Sequence, residues 1–183
     1  MRAFIPGRLI RWRYKLGCAK PHLIARLTEV GSKTLERNDR FMSEVLTQHY
    51  NVSADDFASA GAASAAVKKT LKQLGFPSDF IRRTSIAMYE GEINMVIHGN
   101  GGVAEVEITE DHVKIIMTDQ GPGIENIDLA MQEGWSTASD TVRELGFGAG
   151  MGLPNIKKQS DDFKITSEVG IGTTLVITIV SSS

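Results

Sequence analysis

The stretch MYEGEINMVIHG, residues 88–99, places two polar side chains on an otherwise apolar sequence with helical spacing. Glu90 and Asn94 are four residues apart, so on a helix they lie on one face, which they share with apolar residues such as Ile93. A carboxylate on a buried face is costly unless a protein group or a ligand binds it. The stretch therefore predicts a core helix that presents a polar pair, either to a ligand or to a neighbouring loop. Glu92 points elsewhere on this helix and is expected to be neutral for function.

Three glycine-rich stretches follow this helix. They are DQGPGI at 119–124, GFGAGMGL at 146–153 and GIGTT at 170–174. Each by itself also suits an ordinary turn. The second leads into a predicted helix, and the free N–H groups and positive dipole at a helix start suit a phosphate. A Walker or Rossmann motif is excluded, because no Gly-Lys-Ser/Thr follows and the glycines come late in the chain. The polar pair and the glycines, in this order, predict a pocket for a nucleoside triphosphate.

The periodicity around these motifs predicts an α+β two-layer sandwich, with a mixed, mainly antiparallel sheet and helices on one face. Ser53, followed by Ala-Asp-Asp, is typical of a helix start, and Gly75 ends that helix. Residues 132–150 form a long connection, which is typical of a lid that is mobile without ligand. The predicted strands are 44–52, 103–109, 113–118, 162–168 and 173–180, and the predicted helices are 54–74, 77–98, 127–131 and 152–160.

Composition indicates one compact domain. The chain has 183 residues, of which 42% are hydrophobic and 23% charged. Cys18 is the only cysteine, so no intrachain disulfide can form, and a reducing, cytoplasmic compartment is expected. No apolar run approaches the roughly 18 residues that span a bilayer, so no membrane association is expected.

Charge divides the chain near Met42. Residues 1–41 hold ten Lys and Arg against three Asp and Glu, whereas acidic residues outnumber basic ones in the remainder. The division predicts a basic N-terminal extension at 1–41 and a catalytic domain at 42–183. The extension is interpreted either as a poorly ordered tail or as the product of a misplaced start, with Met42 as the true initiator. No function is assigned to it.

On these motifs the chain resembles the GHKL ATPase superfamily, which includes histidine-kinase catalytic domains, Hsp90, gyrase B and MutL. The resemblance runs from about residue 44 to residue 180 and is closest to the anti-sigma-factor serine/threonine kinases of bacteria. It implies the Bergerat-type ATP-binding fold, with ATP and Mg²⁺ as cofactors. It also implies that Asn94 holds Mg²⁺ against the triphosphate, and that Glu90 orients or deprotonates the attacking hydroxyl.

The resemblance implies further nucleotide contacts. Asp119 would accept a hydrogen bond from the adenine amino group, and Thr173 would reach the same base through water. The other residues implied in nucleotide binding are Gly121, Gly123, Gly148, Gly150, Gly152 and Leu153. Several of these kinases carry an Arg where this chain has Gly148, which leaves Arg143, Lys157 and Lys158 as candidates for the γ-phosphate contact.

The function implied is transfer of the ATP γ-phosphate to a Ser or Thr of a small partner protein of the anti-anti-sigma type. A sigma factor as further partner and a homodimer are also implied, without direct contact to nucleic acid. Two alternatives stay open. One is a histidine-kinase-like ATPase module, against which stands the lack of a dimerising helical hairpin with a phosphoacceptor His. The other is an ATP-dependent interaction protein that transfers no phosphate.

Overall fold

Five strands form one sheet in the part of the chain that the structure, a computed structural model, describes, residues 45–181. The basic extension and the start at Met42 lie outside the described residues. The strands are β1 (Leu46–Ser53), β2 (Gly101–Ile108), β3 (His112–Asp119), β4 (Asp162–Glu168) and β5 (Gly172–Val180). Their order is β1-β2-β3-β5-β4, and every described pairing is antiparallel. The α+β class is confirmed, with a sheet that is antiparallel throughout rather than mixed.

Alternation along the strands gives the sheet one apolar side. In β2, Ala104, Val106 and Ile108 are buried, whereas Glu105 and Glu107 between them are only partly so. Since side chains in a strand point alternately to opposite faces, this pattern places the apolar set against the helices. The neighbouring β3 contributes Ile115 and Met117 to the same core.

Three longer helices cover this apolar side, and two short ones lie in the connection before β4. The longer helices are α1 (Ala62–Leu74), α2 (Ser78–Ile97) and α5 (Gly152–Gln159). The short ones are α3 (Ile127–Ala130) and α4 (Asp140–Glu144). The long central helix α2 packs on the sheet, and α1 and α5 flank it. None of the helices in residues 45–181 has the length and apolar content that a bilayer crossing needs.

The predicted start of the first helix near Ser53 is wrong, because α1 begins at Ala62. A turn precedes it instead. Asp55 has a left-handed backbone with φ of 54°, and the side chain of Asp56 accepts a hydrogen bond from the Ser59 backbone N–H. Asp and Ser side chains compete for backbone groups in this way, so the same residues suit a turn or a helix cap. The structure also places α4 inside the predicted loop at 132–150.

Glu92 has a structural role that the sequence pattern does not predict. Its side chain is 2% exposed, and its two carboxylate oxygens accept hydrogen bonds from the backbone N–H groups of Ala63 (3.1 Å) and Ser64 (3.0 Å). These groups belong to the first turn of α1, which leaves its N–H groups without partners inside the helix. Gly61, at the N-cap position, has no side chain that could cap the helix. Glu92 therefore caps α1 from α2 and joins the two helices.

Glu92→Gln is expected to lower the free energy of unfolding by about 1.5 to 3 kcal/mol, the contribution of a charge-assisted hydrogen bond. The amide has one acceptor oxygen, so its NH₂ group must face an N–H donor in a buried position. Chemical denaturation of the variant measures the loss. Glu133→Gln, in an exposed loop, is the matched control and should leave stability unchanged. Equal stability of the two variants would contradict the capping role.

Candidate functional site

A cavity of about 940 Å³ lies between α2, the ends of β3 and β5, and the glycine-rich segments. It collects nearly all of the residues that the sequence predicts to contact nucleotide. Those that line it are Glu90, Asn94, Asp119, Gly123, Gly148, Gly150, Gly152, Leu153 and Thr173. Motifs spread over residues 88–174 thus meet at one site.

Gly121 is the exception among the predicted residues, since it does not belong to the cavity wall. It is buried, and a Cβ atom there would stand 2.5 Å from the carbonyl oxygen of His98 and 2.7 Å from the Cα of Gly99. Such distances are too short for a side chain. The glycine therefore lets the loop after β3 pack against the end of α2, which holds Asp119 in place.

Asn94 lies where α5 begins. A Cβ atom on Gly152 would stand 3.0 Å from Asn94 Oδ1, so the first turn of α5 passes close to this amide. Within residues 45–181 the Asn94 side chain makes no hydrogen bond, although it lines the cavity. No side chain caps α5 either, so its first N–H groups are available to an anion. This end of the cavity suits a phosphate chain and a cation bound to it.

Glu90 lies one helical turn before Asn94 and is half-buried. Its Oε1 accepts a hydrogen bond of 2.7 Å from the Nδ2 of Asn155, in the first half of α5. The sequence pattern did not predict this contact, because Asn155 follows the glycines without belonging to any motif. The carboxylate that faces the phosphate end of the cavity is therefore held from a second helix.

Asp119, the last residue of β3, also lines the cavity. Its Oδ1 accepts hydrogen bonds of 3.0 Å from the backbone N–H groups of Gly121 and Thr173. Its Oδ2 makes no hydrogen bond within the described residues, and the side chain lines the cavity. One oxygen thus fixes the carboxylate, and the other is available to a donor such as an exocyclic amine.

Thr173 belongs to the same network. It is 9% exposed, and its Oγ1 lies 2.9 Å from the Oγ of Ser167. Ser167 also accepts the backbone N–H of Ile124 at 2.8 Å, which ties β4 to the loop after β3. Ser167 is a second residue that the motifs did not reveal, since a Ser on a strand carries no sequence signal of its own.

None of the cavity-lining residues in the described part of the chain is a Lys or an Arg. Arg143, a predicted γ-phosphate contact, donates instead to the carbonyls of Ala138 and Ser136, both at 3.2 Å. Lys157 and Lys158 are exposed on α5, away from the wall. Among the described residues, backbone N–H groups are therefore the donors that this part of the cavity offers to a phosphate chain.

His98 is the one histidine among the described residues that line the cavity, and it supplies no fixed charge. Burial lowers the pKa of His98, against a smaller opposing effect of the negative charge of Asp119. The imidazole is then neutral at neutral pH. Residues 45–181 also contain no cluster of three or more His, Cys, Asp or Glu that would hold a metal by themselves. A cation here would depend on Asn94 and on phosphate oxygens, which is the mode that Mg²⁺ favours.

Comparison with known proteins identifies this arrangement. Residues 86–182, more than half of the chain, match the family model described as histidine kinase-, DNA gyrase B-, and HSP90-like ATPase. The chain belongs to this ATPase family. The matched region contains the polar pair of α2 and all three glycine stretches, and membership implies that the chain binds ATP.

The chain is similar to two curated proteins over most of the length of those proteins. The serine/threonine-protein kinase RsbT of Bacillus subtilis is 34% identical over 116 residues, which are 61% of this chain and 81% of RsbT. An anti-sigma F factor of Clostridium beijerinckii is 36% identical over 121 residues, 63% of this chain and 81% of that protein.

A solved structure shows the same fold. It contains the RsbU and RsbW domains of Rv1364c from Mycobacterium tuberculosis and matches 75% of this chain with a TM-score of 0.50 and 17% identity. The match spans 33% of that longer chain. At this identity the likeness concerns the fold alone.

Asp119→Asn is expected to weaken ATP binding by about 1.5 to 3 kcal/mol, the loss of a charge-assisted hydrogen bond. The amide keeps one acceptor for the two backbone N–H groups but presents NH₂ to the adenine amine. Calorimetry of ATP binding to the folded variant measures the effect. The control is Asp128→Asn, at an exposed position of α3, which should bind like the wild type. Unchanged affinity of Asp119→Asn would reject the adenine contact.

The segment at residues 132–150, which the sequence predicts to be a lid, is expected to gain order with an ATP analogue. Gly134 N–H donates to the carbonyl of Gly150 at 3.0 Å, and Phe147 stacks on Phe57 with ring centroids 5.7 Å apart. A γ-phosphate adds an acceptor for the glycine N–H groups, whereas ADP lacks it. Hydrogen exchange should therefore show more protection with the analogue than with ADP. Equal protection in the apo, ADP and analogue states would reject the lid.

Proposed function

We propose that this chain is a serine/threonine protein kinase of the anti-sigma type, which transfers the ATP γ-phosphate to a hydroxyl of a small partner protein. The observation that carries the proposal is the position of Glu90. Its carboxylate lines the cavity one turn before Asn94, beside the helix end that suits phosphates. A relative named as a serine/threonine-protein kinase and relatives named as anti-sigma F factors support the same class.

Different residues of the cavity bind different parts of the nucleotide. Asp119 binds the adenine amino group and fixes the nucleotide at one end. Asn94 and the N–H groups at the start of α5 hold the triphosphate at the other end. Mg²⁺ fits beside Asn94, whose side chain has no hydrogen bond among the described residues, and it would supply positive charge to the phosphate oxygens.

Transfer needs a base beside the γ-phosphate. The partner's Ser or Thr oxygen attacks the γ-phosphorus, the bond from that phosphorus to the β–γ bridging oxygen breaks, and ADP leaves. Glu90 accepts the hydroxyl proton or orients the hydroxyl as it attacks. Glu92 cannot do this, because both of its oxygens are bound to the backbone of α1.

The partner belongs to the proposal as well. A small protein of the anti-anti-sigma type is the proposed phosphoacceptor, with a sigma factor as a second partner, a homodimer as the assembly and the cytoplasm as the location. Relatives named as anti-sigma F factors support this partner class.

Co-purification tests the proposal. The chain is isolated with its bound proteins and incubated with or without Mg-ATP. The masses of the bound proteins are then measured by mass spectrometry. We expect a small partner to gain one phosphate only with Mg-ATP, in an acid-stable form typical of phosphoserine or phosphothreonine. An acid-labile phosphate would favour the histidine-kinase-like alternative. A bound partner with no mass gain would favour ATP-dependent interaction without transfer.

A further inference from the structure

Asn155 joins the helix that suits phosphates to the proposed base. Its Nδ2 donates to Glu90 Oε1 at 2.7 Å, and this is the shortest hydrogen bond between α2 and α5 in the described structure. Both side chains are half-buried. Glu90 lines the cavity, whereas Asn155 does not. Asn155 thus contacts the carboxylate without itself lining the cavity.

A glutamate needs such a contact to act as a base in one geometry. Its side chain has three rotatable bonds, and proton acceptance requires one oxygen within about 3 Å of the attacking hydroxyl. The amide donates to Oε1 without adding charge and leaves Oε2 as the acceptor. Because Asn155 is three residues after Gly152, the same helix start that would bind the γ-phosphate also fixes the carboxylate.

The helix itself does not depend on this bond. Ile156 is fully buried and packs α5 into the core. Arg83 of α2 donates to the carbonyl of Gln159 at 3.0 Å and pairs with Asp161 at 2.8 Å, which holds the far end of α5. Loss of the Asn155 amide should therefore leave α5 in place while it frees the Glu90 side chain.

We infer that Asn155 is a positioning residue for phosphotransfer, which holds the Glu90 carboxylate toward the hydroxyl of the protein substrate. The inference rests on the proposed kinase function. It predicts that Asn155 acts only through Glu90, so the two residues form one unit whose effects do not add.

A double-mutant cycle tests this coupling. Transfer from [γ-³²P]ATP to the co-purified small partner is measured for the wild type, Asn155→Ala, Glu90→Gln and the double variant. Asn155→Ala should lower kcat by about 10- to 100-fold, the usual effect of a small displacement of a catalytic group, with KM for ATP unchanged. In the Glu90→Gln background it should have no further effect. Asn51→Ala, an exposed amide on β1, is the matched control.

Asn155→Leu provides a second variant of nearly the same shape that lacks the amide donor and adds no charge beside Glu90, and it should lose as much kcat as Asn155→Ala. It replaces Asn155→Ala in the double-mutant cycle if the alanine variant fails to fold. Additive losses in the double variant, a change confined to KM, or wild-type kcat in both Asn155 variants would overturn the inference and leave the kinase proposal intact. A wild-type chain that transfers no phosphate would overturn both.

Discussion

Glu90→Gln is expected to reduce phosphate transfer by about 10² to 10⁴, the usual contribution of general base catalysis. The amide cannot accept the hydroxyl proton as a carboxylate does, yet it has nearly the same size. It can still accept the Asn155 amide through its oxygen, so the fold and most of the ATP affinity should persist. A large loss of kcat with little change in ATP affinity is therefore the expected signature.

Single-turnover transfer and calorimetry together measure this signature. Glu107→Gln is the matched control, because Glu107 lies on β2 and pairs with Lys114 at 3.8 Å on the exposed face of the sheet. It should transfer phosphate like the wild type. Glu92→Gln is unsuitable as a control, since its buried carboxylate caps α1. Full activity of Glu90→Gln would show that the carboxylate on this helix is not the base.

Asn94→Ala is expected to lose Mg-ATP binding and phosphate transfer together. The amide oxygen is proposed to act on the nucleotide before and during transfer, so its removal affects the ground state as well as the transition state. A loss of about 1.5 to 3 kcal/mol corresponds to roughly 10- to 150-fold weaker binding. Titration with ATP in the presence and absence of Mg²⁺ measures it.

The magnesium dependence separates this effect from simple loss of packing. In the wild type, Mg²⁺ should strengthen ATP binding, and in Asn94→Ala the strengthening should largely disappear. Asn51→Ala should retain it. If Asn94→Ala binds Mg-ATP as tightly as the wild type, the assignment of Asn94 to the metal and phosphate end is refuted.

The main elements of the fold were predictable from the sequence. The helix at Ser78–Ile97, the hairpin of β2 and β3, and the two closing strands are confirmed, because strong apolar periodicity and clear glycine turns mark each of them. The meeting of the polar pair with the glycine stretches follows from the resemblance to one ATPase family.

Features that depend on tertiary contacts were not predictable in the same way. The capping of α1 by Glu92 joins residues 28 and 29 positions apart, and the bond from Asn155 to Glu90 joins residues 65 positions apart. Nothing in the local pattern distinguishes such a glutamate or asparagine from a solvated one. The start of α1 was missed because Asp and Ser side chains near residue 55 suit a turn as well as a helix cap.

A crystal structure of the chain with Mg²⁺ and a non-hydrolysable ATP analogue would show whether the nucleotide occupies this cavity in the proposed orientation. We expect the adenine amino group within about 3 Å of Asp119 Oδ2, which is hydrogen-bond distance. We also expect the γ-phosphate between the start of α5 and Glu90, with the metal on Asn94 Oδ1 and the Asn155 bond to Glu90 retained. An analogue bound outside this cavity, or with its phosphates directed away from α5 and Glu90, would contradict this expectation.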